Sequence, residues 1–195
     1  MPADPIWGQL ILQVILIAVN AFFAAAEIAV ISLDENKLRV RAENGDKDAV
    51  RMLKLVSSPS GFLSTIQIAI TLAGFLGSAF AADHFAGPMV EALMKTNAFG
   101  NMNQNVLNTV CVILITIILS YFTLVFGELV PKRVAMQKTD AVAKVVSGVI
   151  LGFSTVMKPL VWLLTVSTNG VLRLCRIDPN AQEDSVTEQD IRMMA

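Results

Sequence analysis

The chain has 195 residues, of which 54% are hydrophobic and only 16% charged, with a net charge of −1. A typical soluble domain carries about 25% charged residues, so the composition points away from one and toward an all-α membrane protein. The near-neutral balance, with no basic stripe interleaved by aromatics, argues against a nucleic-acid partner.

The first apolar run, 6–26, carries no charge. Ala24, Ala25 and Ala26 look like a signal-peptide cleavage site. However, no Lys or Arg precedes Lys37, and the run exceeds the 7–15-residue core of a signal peptide. A retained span over about 6–32 is therefore expected. The next segment holds Lys37, Arg39, Arg41, Lys47, Arg51 and Lys54, interleaved with Leu38, Val40, Val50 and Leu53. It reads as short amphipathic helices over about 35–56, broken at Asn44 and Gly45. Ser57, Ser58, Pro59, Ser60 and Gly61 restart the chain into a second span, about 61–82. A loop should follow over 83–105, with His84 as a solvated loop residue. The third span covers about 106–130.

Lys and Arg set the orientation. The N-terminal tail has none and the 83–105 segment has only Lys95, whereas the first loop and the chain after Glu128 are rich in them. By the positive-inside rule the three spans run N-out and C-in, in the cell inner (plasma) membrane. The apolar stretch 145–172 is divided by Lys158 and Pro159 into two pieces of about 13 residues, short for a crossing. Cations on both flanks favour helices lying along the cytoplasmic face, over about 140–176, with a fourth span broken at Pro159 as the alternative. Residues 1–176 thus form one transmembrane domain and 177–195 a linker, in which Ser185 to Glu188 read as a capping box. Cys111 and Cys175 make neither a metal spacing nor a disulfide framework.

One acid stands out. Glu128 ends the charge-free stretch 99–127, and Pro131 and Lys132 follow it. An ionisable group at membrane depth is a functional-site candidate by default. Pro131 has no N–H, and its ring clashes with the Gly127 carbonyl four residues back. A freed Gly127 carbonyl beside the Glu128 carboxylate offers hard oxygens, suited to Mg²⁺, Ca²⁺ or Na⁺. Thr116, Ser120, Thr123 and Gly127 share one face and extend a polar path. The competing reading makes Glu128 and Lys132 a simple interfacial ion pair at i and i+4. In the second span Gln67 and Thr71 could add uncharged oxygens, with Gly74 and Ser78 continuing the line. Ala69, Ala73, Gly77 and Ala81, four apart, form a packing or dimer face. Glu27 reads as an interface acid. Asn20 either reaches the site or bridges helices. There is no Ser/His pair and no twin intramembrane aspartates, so no enzyme activity is expected.

The segments FFAAAEIA (22–29), TIQIAITL (65–72) and FGELVPK (126–132) resemble the transmembrane domain of the CorC/CNNM family. VTEQDI (186–191) is similar to that family's linker into a cytoplasmic pair of CBS domains. The resemblance covers essentially the whole chain. It implies a homodimeric Mg²⁺ transporter in the lipid bilayer, with export coupled to Na⁺ in characterised members. It also implies a belt helix over 145–176 and CBS domains, beyond this chain, that respond to nucleotide. Glu128 matches the family's ligand glutamate, Gly127 the adjacent carbonyl, and Pro131 and Lys132 the helix-breaking turn. The chain departs from the family at Ala24 and Ala26, where Mg²⁺-binding members commonly carry serines. It departs again at 69–72, where they commonly carry Gly-Asn-Asn-Leu. Glu128, the Gly127 carbonyl, Thr71 and Gln67 remain as candidate metal ligands. The expected function is a divalent-cation transporter. The alternative is a non-transporting dimeric membrane anchor for a CBS module.

Overall fold

A computed structural model describes residues 6–57, 59–95, 103–175 and 177. The expected capping box and most of the 177–195 linker lie outside the described residues. The secondary structure is helical: α1 (Ile6–Ile31), α2 (Glu35–Glu43), α3 (Lys47–Val56), α4 (Pro59–Met94) and α5 (Gln104–Leu124) come first. A π-helical turn (Val125–Leu129), α6 (Val130–Gln137) and α7 (Thr139–Leu174) follow. Four stretches are long and apolar enough to cross a membrane: Trp7–Ile31, Gly61–Met94, Asn105–Gln137 and Thr139–Leu174. At about 1.5 Å per residue, each exceeds the roughly 30 Å hydrocarbon core.

The chain divides into two compact units, 1–153 and 154–195. In the first, α1 packs along α4, α6 and the π turn, and α4 packs along α5. Small residues make this possible: Ala24, Ala26 and Ala29 of α1 have no exposed surface. Apolar association gains little in lipid, so close van der Waals contact must hold such helices together. One core joins Phe23, Ala26 and Val30 to Leu55, to Phe62, Ile66 and Ala69, and to Val146 and Ile150 at the start of α7. A second joins Ala29 to Leu38, Ala49, Met52, Ala135 and Ala143. It seats the short helices against α1, α6 and α7.

The short helices are built from local signals. Asp34 caps α2 by accepting from the Lys37 amide, and Asp46 caps α3 by accepting from Asp48 and Ala49. Gly45 sits between them with φ +87°, a left-handed turn that glycine adopts without strain. Arg41 clamps Asp46 Oδ2 through Nε at 3.1 Å and Nη2 at 2.8 Å. Lys144 reaches Asp48 at 2.8 Å and so ties α3 to α7.

Two expectations change. The second span does not stop at Asp83: α4 runs on to Met94, through Pro88. His84 is therefore a half-buried helical residue, not a loop residue. Its ring stacks on Phe80 with centroids 4.1 Å apart, and its Nδ1 lies 3.0 Å from the Phe80 carbonyl oxygen. The reason is periodic. Beyond the expected end Ala86 and Val90, four apart, share a face; Ala81 and Ala86 pack with Ile115 of α5, and Val90 packs with Leu107 and Cys111. The charges Asp83 and Glu91 stay on the exposed side. Residues 96–102 lie outside the described residues. The second change concerns α7, which is one continuous helix through Pro159 rather than two pieces. A proline removes one intrahelical bond and tilts the axis, and long apolar flanks can carry that. The part of α7 in the second unit is largely exposed, with Val156, Trp162, Leu163 and Val171 facing outward.

Arg41 holds the Asp46 carboxyl below its usual pKa, and the Ala49 amide adds to the effect. A depressed carboxyl stabilises the fold above its unfolded pKa of about 3.9, and that contribution disappears as pH falls through the folded value. Asp46→Ala should therefore speed amide exchange at Asp48 and Ala49 at pH 7. The gap from wild type should close only as pH falls through the lowered folded-state pKa of Asp46, where the wild-type cap is itself protonated. Unchanged exchange at pH 7 would refute the capping role.

Candidate functional site

The site begins with a missing donor. Pro131 cannot give the Gly127 carbonyl its i+4 hydrogen bond. The chain answers with a π turn, in which the Val130 amide bonds the Val125 carbonyl five residues back. Isolated π turns inside α-helices recur at functional sites. The Gly127 carbonyl is taken up by another helix: Asn20 Nδ2 of α1 donates to it at 3.1 Å. Gly127 is buried here, and a Cβ would come 3.1 Å from Asn20 Nδ2. Glycine leaves room for this close approach, which a Cβ would tighten.

The wide turn also changes phase. In an unbroken α-helix Gly127, not Glu128, would share the face of Ser120 and Thr123. The extra residue rotates Glu128 toward that face and turns Gly127 to α1. Glu128 then ends a groove between α4 and α5. Ile70, Thr71, Gly74, Phe75, Ser78, Ser120, Thr123 and Leu124 line the rest, and the cavity volume is about 420 Å³. A smaller cavity of about 260 Å³ lies elsewhere, between α2 and the start of α7.

The Glu128 carboxylate has a partner. Lys132 Nζ lies 2.9 Å from Glu128 Oε1 and 3.2 Å from Glu27 Oε2. Carboxylates from α1 and the π turn thus converge on one ammonium.

The structure places Thr71 and Glu128 on one groove and Lys132 on the Glu128 carboxylate, while Gly127 turns to α1; Pro131 sets the turn. Gln67 is exposed and does not line the groove. Ala69, Ala73, Gly77 and Ala81 are buried within the chain, where Gly77 faces Gln13 of α1. The freed carbonyl is not without a partner, because Asn20 donates to it. Sequence reasoning missed the pairing of Glu27 with Lys132. The available signal was phase: Asn20 and Glu27 are seven residues apart, which places them on one face of α1. Among the described residues no group of three or more His, Cys, Asp or Glu side chains is placed to hold a metal.

The family model described as "Cyclin M transmembrane N-terminal domain" matches residues 11–195. The chain belongs to the CNNM family. Among curated CNNM-like relatives, the "UPF0053 protein sll0260" of Synechocystis is 34% identical over 92% of this chain and 39% of its own length. A "Polyamine export protein" of Haemophilus influenzae is 30% identical over 91% of this chain and 40% of its own. A protein of the same name from Salmonella typhimurium is 31% identical over 90% of this chain and 38% of its own. The chain spans about two fifths of the length of these relatives.

Asn20→Ala should leave the Gly127 carbonyl buried without a donor. An interhelical hydrogen bond in a membrane is worth about 1–2 kcal/mol, and an orphaned carbonyl costs a similar amount. Thermal unfolding in detergent should show that loss, with Gly127→Ala destabilised as well. An Asn20→Ala protein as stable as wild type would remove Asn20 from this role.

Proposed function

We propose that this chain is the membrane core of a cation exporter, with the Glu128 groove as its cation site. The cargo favoured is an aliphatic polyammonium ion. The observation that carries this reading is the groove itself. One carboxylate closes its end, and its walls mix hydroxyls of Thr71, Ser78, Ser120 and Thr123 with the apolar Ile70, Phe75 and Leu124. Such walls suit a chain of methylenes punctuated by ammonium groups. The names of two relatives at 30 and 31% identity, both called polyamine export proteins, agree with that chemistry.

Mg²⁺, with Na⁺ as the coupling ion, is the second reading. It is favoured by the convergence of two carboxylates, Glu27 and Glu128, on one point. Mg²⁺ demands near-octahedral oxygens at about 2.0–2.1 Å. Ala24 and Ala26 supply none, and the Gly127 carbonyl already accepts from Asn20. A dimeric anchor for a nucleotide-responsive CBS module is the reading left if no cation binds.

Flux separates these. The protein in liposomes should carry 1,4-diaminobutane, and Glu128→Gln should cut that flux at least about tenfold, the cost of one lost charge-assisted contact. Mg²⁺ flux with the same sensitivity, and no diamine flux, would move the cargo to Mg²⁺. Flux unaffected by Glu128→Gln would sink the Glu128 site, and no flux of either cation would leave the anchor.

Topology follows the same proposal: three spans, N-out, with α7 lying along the cytoplasmic face. Lys144, Lys158 and Arg173 recur about every 14 residues along α7, so a crossing would place Lys158 near mid-bilayer. Cys175 is exposed at the end of α7, whereas Cys111 is buried. An impermeant thiol reagent should label Cys175 only after the membrane is permeabilised. Labelling in intact cells would make α7 a fourth span.

A further inference from the structure

We propose that Lys132 is a tethered stand-in for the exported cation, that Glu27 is the second carboxylate of the same site, and that cargo binds by expelling Lys132. This rests on the cation-export reading above and specifies how its site works.

The geometry is a three-group cradle. Glu27 comes from α1, Glu128 from the π turn and Lys132 from the first turn of α6. Lys132 Nζ lies 2.9 Å from one carboxylate and 3.2 Å from the other. The three side chains are 21, 36 and 27% exposed, in the order Glu27, Glu128, Lys132. This is an alkylammonium already bound by two acids, beside a groove that Glu128 also lines.

The charges do not balance. Two carboxylates and one ammonium leave −1. Among the described residues, Lys132 is the partner that the ion pairs give to either acid. A net charge held in a low-dielectric setting is costly and calls for a further cation. A monovalent ion could join Lys132 at the site. A divalent ion or a diammonium neutralises both acids by itself and leaves Lys132 redundant. The cradle therefore matches a +2 cargo exchanged against the lysine.

A second observation points the same way. Asn20 is 4% exposed; its Nδ2 holds the Gly127 carbonyl, while its Oδ1 has no hydrogen-bond partner. A buried acceptor next to the residue preceding Glu128 calls for a donor. A hydrated cation or an ammonium brings donors; a chloride or a carboxylate does not.

Lysine is suited to the stand-in's role. Its ammonium is a point charge on a flexible four-carbon stem, so it can leave and return. Arginine would grip the carboxylates through a rigid fork and leave less readily. Two substitutions at one position should therefore act in opposite directions.

The test is a titration of the intact, detergent-purified protein with 1,4-diaminobutane, and separately with MgCl₂. Lys132→Gln should tighten binding about tenfold, by removing the internal competitor, and Lys132→Arg should weaken it by a similar factor. Glu27→Gln should weaken it as Glu128→Gln does. If Glu128→Gln loses binding but Lys132→Gln binds no better than wild type, the exchange fails and the cation site survives. If Glu128→Gln binds like wild type, the cation site itself fails. Lys132→Arg keeps the charge and protects the test against misfolding of Lys132→Gln. Binding by the Arg variant equal to or tighter than wild type overturns the exchange on its own.

Discussion

Pro131 has no amide hydrogen, and the arrangement of the site depends on that absence. The Gly127 carbonyl cannot be served by its own helix, so the backbone widens by one residue and Asn20 of α1 donates instead. Three consequences follow from the one missing donor. The π turn rotates Glu128 onto the groove. The hydrogen bond pins α1 to the turn, which holds Glu27 of α1 within reach of Lys132. The break also starts α6, which carries Lys132 in its first turn. A helix without the proline would close its bonds and put glycine where the acid now stands.

Close approach makes this economical. In lipid, burying methylenes between helices gains little over leaving them among acyl chains. Contact distance is what matters, and α1 and α4 secure it with alanine and glycine. Ala24, Ala26 and Ala29 on one helix, and Ala69, Ala73, Gly77 and Ala81 on the other, are all buried. The same residues that give no oxygen to a metal bring the helices near enough for Asn20 to span the gap. In this chain, packing has taken positions that the wider family resemblance assigns to ligands.

Much of the fold was legible because its signals are local. Charge-free runs marked the long helices, and Asn44 and Gly45 marked the break between α2 and α3. The extension of α4 to Met94 was missed because Asp83 was taken as a boundary. Ala86 and Val90, four apart beyond that acid, continue the helix and find a partner surface on α5. Pro159 misled in the opposite sense: a proline removes one bond, and a mainly apolar flank of about 13 residues on each side outweighs it. In the site, the importance of Glu128, Gly127 and Pro131 was readable from steric rules. The partner of the freed carbonyl was not, because it lies 107 residues away in sequence. Spacing on one helix cannot reveal which neighbour turns toward it.

The pairing of Glu27, Glu128 and Lys132 bears on whether an ion pair here excludes transport. As a structural pair alone, one acid would suffice for one lysine, and a second acid would add a cost at membrane depth. Its presence is hard to explain by stability. Buried or half-buried ion pairs are weak evidence for stabilisation, since desolvation consumes much of the Coulombic gain. An acid in excess makes sense where the site must at times hold more positive charge than the lysine supplies. Under the cation-export proposal, the ion pair and the cation site, which stand as rivals when the sequence is considered alone, describe the same residues in two states of occupancy.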